Sequence, residues 1–518
     1  MNVIESAEVV TVGARPLVPA EVVAVARGGS RVQLAPEALD RVRHGRKIIE
    51  ALADDAEPHY GVSTGFGALA TRHIAPSLRA QLQVSLIRSH AAGSGPEVED
   101  EVTRALMLLR LATLATGHTG AREQTVSAYA ALLNSGITPV VREYGSLGCS
   151  GDLAPLAHCA MALTGEGVVR DASGQEMPAA QALAAAGLEP VRLREKEGLA
   201  LINGTDGMLG MLVLAITDLR YLLKVADITA AMSVEGQLGT DAAFAPDLME
   251  LRPHPGQALA AANMMKLVSG SEIMASHRGP ECTRVQDAYS LRCAPQVAGA
   301  ARDTVDHAEL VAGRELASAI DNPVITDDGR VESNGNFHGA PVGYVLDFLA
   351  IAAADVASIS ERRTDRFLDM ARSHGLNAFL ADDPGVDSGH MIAQYTQAAI
   401  VSELKRLAVP ASVDSIPSSA MQEDHVSMGW SAARKLRRSI DGLTRVLAIE
   451  LLTAARGLEQ RAPLTPAAAT GAVVAALRES VPGTGPDRFL APEIEAAVRF
   501  VAEGRAVAAA ESVAGPLS

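Results

Sequence analysis

The chain has 518 residues, 48% of them hydrophobic, 3% aromatic and 20% charged, a globular composition whose core is Ala, Leu, Val and Met carried on helices. A formal net charge of −16 and a pI near 5.3 argue against nucleic acid as a partner. Four cysteines, Cys149, Cys159, Cys282 and Cys293, make neither a disulfide framework nor a Cys-x-x-Cys metal or redox pair.

The opening Met1-Asn2-Val3-Ile4-Glu5 lacks the basic and apolar regions of a leader, and a reduced cytoplasm is the expected compartment. Short β-type runs, Val9-Val10-Thr11-Val12 and Val32-Gln33-Leu34, flank a helical stretch begun by Pro19-Ala20-Glu21. Helical spacing follows from Ala35 to Leu52. Tyr60-Gly61-Val62-Ser63-Thr64-Gly65-Phe66-Gly67 then reads as a loop with a tyrosine at its head. Helical spacing resumes near Leu78 and runs through Ser89-His90-Ala91-Ala92-Gly93.

The next stretch organises the rest: Gly145-Ser146-Leu147-Gly148-Cys149-Ser150-Gly151-Asp152-Leu153-Ala154-Pro155-Leu156-Ala157-His158. Its three glycines predict a tight non-helical turn. Asp152 is expected to N-cap the following helix, with Pro155 in the first turn. In so tight a loop, the Gly151 amide nitrogen can attack the Cys149 carbonyl carbon and close a five-membered ring. Loss of water from the ring and from Ser150 then leaves a conjugated imidazolone with an exposed methylidene. Glycine is needed at 151 so that no β-carbon obstructs the attack, and serine at 150 because its hydroxyl leaves. Taken alone, the same glycine spacing also suits an ordinary turn or an anion site. It is neither a P-loop nor a Gly-x-Ser-x-Gly elbow.

A hairpin is expected over Gly165–Met177, turning at Asp171-Ala172-Ser173-Gly174. Asn203-Gly204 reads as a helix end. Long helices are expected over 208–236, 256–276, 296–319, 339–375, 388–408 and 427–457, several of them apolar around much of their circumference. The longest apolar run, Met208 to Thr217, is too short to cross a bilayer. If helical, Gln286, Tyr289 and Arg292 share one face. The fold class is therefore mainly α: residues 1–207 form a smaller mixed lobe and residues 208–518 a long-helix bundle with C-terminal helices.

The Gly145–His158 stretch resembles the signature of the aromatic amino acid ammonia-lyases, and the likeness runs from about Tyr60 to Met428. In that family an Ala/Thr/Cys-Ser-Gly triad cyclises autocatalytically to 4-methylidene-imidazol-5-one (MIO). The resemblance implies that Cys149, Ser150 and Gly151 form this group, with no metal and no dissociable cofactor. Cys149 stands where alanine is commonest, which affects only a substituent beside the ring.

The resemblance assigns Tyr60, on a loop covering the site, as the base, and its phenol would need a pKa lowered from about 10 by nearby cations or dipoles. Ser89-His90 resembles the histidine-specific branch, where phenylalanine- and tyrosine-specific relatives carry Phe-Leu or His-Leu. Asn203 is placed beside the imidazolone, Phe337 of Ser333-Asn334-Gly335-Asn336-Phe337-His338 against it, and Gln286, Tyr289 and Arg292 at the substrate. Arg292 then clamps the α-carboxylate in bidentate fashion. In Met421-Gln422-Glu423-Asp424-His425, methionine stands where the family usually has asparagine, while Glu423 again resembles the histidine-specific branch and would accept an imidazole N–H.

The implied activity is non-oxidative elimination of ammonia from L-histidine to trans-urocanate, a carbon–nitrogen lyase step of histidine degradation, by a homotetramer with a central helical bundle. Phenylalanine or tyrosine lyase and 2,3-aminomutase chemistry on the same group are the nearest alternatives. The Gly-Ser-Ser-x-Met-Pro-x-Lys-x-Asn loop of the fumarase group is absent, and an uncyclised helical scaffold makes no use of Ser150-Gly151.

Overall fold

The computed structural model describes residues 9–518 except 56, 66, 280, 281, 283 and 284. The opening Met1–Glu5 and Phe66 of the Tyr60 loop thus lie outside the described residues. Val10–Val12 pairs in parallel with Val32–Leu34, around the helix Pro19–Ala26. Pro36–Ala53 and Arg79–His90 follow as helices. The expected hairpin forms as Val168–Arg170 against Glu176–Pro178. The Asp171 carboxylate accepts from the Ser173 and Gln175 amides and closes its turn.

Five long helices make the bundle: Asp206–Gly236, Ala294–Leu316, Ala340–Leu368, Met391–Leu407 and Gly429–Glu459. Ala340–Leu368 packs along Gly429–Glu459, which packs in turn on Asp206–Gly236. Every residue from Asp206 to Ile216 is buried, so this helix has no solvent face at its N-terminal end. Each fully buried Leu, Val or Met contributes about 1.5–3 kcal/mol. One continuous apolar core runs from Val10 to Leu517 and joins the N-terminal lobe to the bundle.

A buried polar knot locks three of these helices in register. Glu450 accepts from Ser233 and Ser360 at 2.7 and 2.6 Å and from two nitrogens of Arg363. Buried charge persists where it is paired and hydrogen-bonded in this way. Ala340–Leu368 is long and apolar enough to cross a membrane, yet most of its apolar stretch is buried inside the bundle.

The stretch expected as one helix over 256–276 is two. Pro255–Leu267 ends before Gly270, whose φ of +77° is left-handed. The Ser271 hydroxyl then accepts from the Met274 amide and starts Glu272–Ala275. A glycine followed by a serine cap is a stop and a restart, which outweighed the continuing apolar spacing.

Candidate active site

The glycine-rich loop folds as tightly as its spacing predicts, and its glycines are there for different reasons. Gly148 and Gly151 have φ of +69° and +75°. At Gly151 an added Cβ would stand 2.0 Å from the Gly204 oxygen, so no other residue fits. Gly151 and Gly204 form a parallel bridge, and the Asp152 amide donates to the Gly204 oxygen at 2.7 Å. From the far end of the chain, the Met428 amide donates to the Leu147 oxygen at 2.9 Å and the Ser427 hydroxyl to the Gly148 oxygen at 3.0 Å. Cys149 is buried and Ser150 half-buried.

Asp152 occupies the N-cap position of Leu153–Leu163, but its side chain makes no capping bond there. Its carboxylate instead accepts from the Gly207 and Met208 amides, both at 2.9 Å, and from Ser146 at 2.9 Å. It caps the Asp206–Gly236 helix, and a single side chain binds the loop to the longest buried element. Complete burial pushes its pKa up to about 7, partly offset by these hydrogen bonds.

Glu423 lies at the Cys149 side chain of this loop and within electrostatic reach of Tyr60 and His90. The 418–423 turn closes on itself, the Ser418 amide donating to the Glu423 oxygen at 2.9 Å. The Ser418 hydroxyl donates to the Glu423 carboxylate at 3.1 Å. Ser419, Ala420 and Met421 all take positive φ there. The Gly67–Leu69 turn that follows Tyr60 packs on Ser419–Met421, and the Gly67 amide donates to the Tyr60 hydroxyl at 3.3 Å. Burial, with a lesser contribution from Glu423, pushes the Cys149 thiol up to about 12. Burial lowers the His90 pKa against the opposing pull of Leu86 and Glu423. His90 Nδ1 lies 2.8 Å from the Leu86 oxygen, which can only accept, so the proton sits on Nδ1 and Nε2 is left as an acceptor.

Two expectations fail here. Tyr60 was expected beside cations or dipoles that lower its pKa. Burial raises it, outweighing the lowering by the Gly67 amide, and the charges facing it, the Glu423 and Asp321 carboxylates, raise it further. Ser89 is exposed, and its hydroxyl donates to the Leu86 oxygen of its own helix at 3.0 Å. Within this chain, His90 reaches Glu423 electrostatically without it.

Asn203 caps the helix Glu197–Ile202 and is buried. Its amide donates to the Asn322 oxygen at 3.0 Å, while its Oδ1 has no hydrogen-bond partner. Asn322 in turn accepts from Ser333 and Asn334 at 3.0 Å, anchoring the turn that carries half-buried Phe337. His338 stacks on His425 with ring centroids 5.6 Å apart. Sequence reasoning missed Asn322, Ser427 and the true partners of Asp152. An Asn-Pro and a Ser-Met in loops carry no periodic signal.

Gln286, Tyr289 and Arg292 are not at this site within the chain. The helix there is Tyr289–Arg292 alone, so exposed Gln286 lies outside it and off its face. Arg292 does stack on the Tyr289 ring, 4.8 Å from its centroid. The segment is fixed at the opposite end of the Asp206–Gly236 helix, where Asp287 accepts from the Thr240 amide at 2.6 Å. A helix of 31 residues spans about 45 Å. The Cys149 loop is tied to its N-terminal end and the Arg292 segment to its C-terminal end.

A buried loop with a steric demand for glycine, a carboxylate, a phenol and a neutral imidazole can bind and deprotonate a polar aromatic substrate. Comparison with known proteins agrees. The sequence model described as aromatic amino acid lyase matches residues 17–479. A histidine ammonia-lyase from Streptomyces avermitilis is 66% identical over 510 residues, 98% of this chain and 99% of its own length. The crystal structure of a tyrosine aminomutase from Streptomyces globisporus aligns with a TM-score of 0.92 at 38% identity, over 97% of this chain and 98% of that one. Histidine ammonia-lyase from Trypanosoma cruzi aligns with a TM-score of 0.90 at 35% identity, over 98% and 96%.

Proposed function

The chain belongs to the aromatic amino acid lyase family, and from that premise we propose that it performs the histidine ammonia-lyase reaction, eliminating ammonia from L-histidine to give trans-urocanate. It is a carbon–nitrogen lyase of histidine degradation. One observation carries the substrate: Glu423 lies at Cys149 and within electrostatic reach of His90 and Tyr60 in the same chain.

The family depends in general on MIO, and we propose that Cys149, Ser150 and Gly151 cyclise to form it here. The residues fit such a group: Gly151 has no room for a β-carbon, and the Asn203 Oδ1 beside this loop's support at Gly204 has no partner. When formed, the group supplies an electrophile that makes the substrate amine able to leave.

The chain's own residues do the rest. Glu423 accepts an N–H of the substrate imidazole and fixes its orientation, and His90 Nε2 accepts a further proton donor. Tyr60 takes the β-proton. Asn203 Oδ1 accepts from the substrate or the prosthetic ring, with Phe337 packed nearby. Arg292, with Tyr289 and Gln286, clamps the α-carboxylate from another copy of the chain, because within one copy that segment and the Cys149 loop sit at opposite ends of the Asp206–Gly236 helix. We therefore propose a homotetramer built on the long helices. The exposed stripe Tyr344, Phe348 and Ile351 on Ala340–Leu368 supports it. Four free cysteines suit a cytoplasmic setting. Residues 1–207 and 208–518 would act as a site-bearing lobe and an assembly bundle.

The intact mass tests the cyclisation: purified wild type should be lighter than its sequence by two waters, and Ser150→Ala should keep its full mass, assemble normally and lose all but a trace of turnover. Full mass in wild type, or substantial turnover by Ser150→Ala, overturns this reading. The likeness to an aminomutase keeps a second outcome in view. Accumulation of a β-amino acid in place of urocanate would identify a mutase.

A further inference from the structure

A cavity of about 380 Å³ lies behind the candidate site, and none of Tyr60, His90, Ser150 or Glu423 lines it. Its walls are the 13–17 loop, Arg41, Ala112 and the segment ending Ala294–Leu316. Thr205 and Asp206 line it too, directly after the Gly204 that backs Gly151. A volume of this size suits a compact small molecule.

Charges of both signs line it. Asp206 is only 5% exposed, and its Oδ2 has no hydrogen-bond partner. Its nearest cation is Arg110, at 3.5 Å. Glu315 accepts from the Thr205 hydroxyl at 2.6 Å and pairs with no cation among the described residues. Burial raises the pKa of both carboxyls, and Asp206 raises that of Glu315 further. Arg110 answers Asp206 alone, so Glu315, largely buried beside it, leaves the pair one cation short, and a buried carboxylate without a cation is costly. Arg41, exposed to solvent, supplies the opposite charge. It donates to the Gly13 and Thr116 carbonyls and pairs with no carboxylate among the described residues. Arg15, also in the wall, is already held by Glu21.

We propose that this cavity binds a small amino acid in its zwitterionic form, with the ammonium group on Asp206 and Glu315 and the carboxylate on Arg41. A simple amine would leave Arg41 unpaired, and a simple acid would be repelled by the two carboxylates. An occupant sits directly behind the bridge that holds Gly151, at a place distinct from the substrate's.

Equilibrium dialysis of the full-length protein against the common amino acids, with methylamine and acetate as single-charge controls, tests this. At least one amino acid should bind more tightly than either control. Arg41→Met should weaken that binding by about tenfold or more. Ala112→Leu, which fills the cavity from a half-buried position and leaves the buried carboxylates in place, should do the same. Glu423→Gln should leave it within about twofold. Binding by none of the amino acids, equal binding of the controls, undiminished binding by Ala112→Leu, or loss with Glu423→Gln would each overturn the proposal.

Discussion

Glu423 faces Cys149, His90 and Tyr60 at once, and its charge acts differently on each. Glu423→Gln keeps the shape and removes the charge. Histidine then loses a charge-assisted acceptor, and kcat/KM for histidine should fall about a hundredfold or more, with little change for phenylalanine. The pH profile carries a second, independent sign. Tyr60 is held above its ordinary pKa mainly by burial, with the Glu423 and Asp321 carboxylates adding to the rise. A base with a raised pKa is protonated near neutrality, so kcat/KM climbs on the alkaline side. Removing the Glu423 charge lowers that pKa, and the alkaline limb should move to lower pH. A limb that stays in place or moves upward contradicts this role for Tyr60. Steady-state rates for histidine, phenylalanine and tyrosine across pH measure both effects. Among the described residues no cation contributes to the Tyr60 shift, and in the proposed assembly Arg292 of another copy would be the group that supplies one.

At the scale of elements, the Asp152 bridge and the Gly151 contact join the loop to the helix that begins at Asp206. Asp152→Ala strands the Gly207 and Met208 amides in a buried setting at about 1–3 kcal/mol each, and the urea midpoint should fall accordingly. The sign with pH follows from the raised pKa. In the folded chain Asp152 holds its proton up to about pH 7, against about 3.9 when unfolded. Its contribution to stability is thus fully present below the unfolded value and is lost as pH rises through 7. Asp152→Asn should flatten that loss, and parallel curves for the two proteins between pH 5 and 8 would refute it. Gly151→Ala meets both a left-handed φ and a 2.0 Å contact, so it should block cyclisation and keep the unmodified mass.

These elements also mark what could be read from sequence. Ser150-Gly151 was legible because the ring chemistry demands those residue types whatever the fold. The long helices were legible from apolar spacing: 208–236 was expected and Asp206–Gly236 formed. The side-chain direction of Asp152 was not, because its partners lie 55 and 56 residues away. Gln286 was placed on a helical face by spacing, yet the helix starts at Tyr289. Local periodicity cannot report a partner that only tertiary packing supplies.

For the whole molecule, the Cys149 loop and the Arg292 segment lie at opposite ends of the Asp206–Gly236 helix, and the proposed shared site follows from that. Tyr60 and Ser150 lie at the same end of one chain, so Tyr60→Phe and Ser150→Ala subunits refolded together should remain inactive. Ser150→Ala and Arg292→Ala lie at opposite ends. In mixed assemblies of these two, random pairing leaves about a quarter of the sites intact, and activity should return to roughly that fraction. No recovery with this second pair, or recovery with the first, would falsify the shared site.

The triad loop's own anchors reach just as far along the chain. Gly148 and Leu147 are held by Ser427 and Met428, and Gly151 by Gly204, so the loop takes its shape only after residues 204 and 428 have been synthesised and docked. A ribosome-bound or misfolded chain lacks that clasp. The reactive electrophile would then appear only in molecules that have completed their fold, and its presence would act as a built-in maturation stamp that keeps a promiscuous Michael acceptor out of unfinished protein.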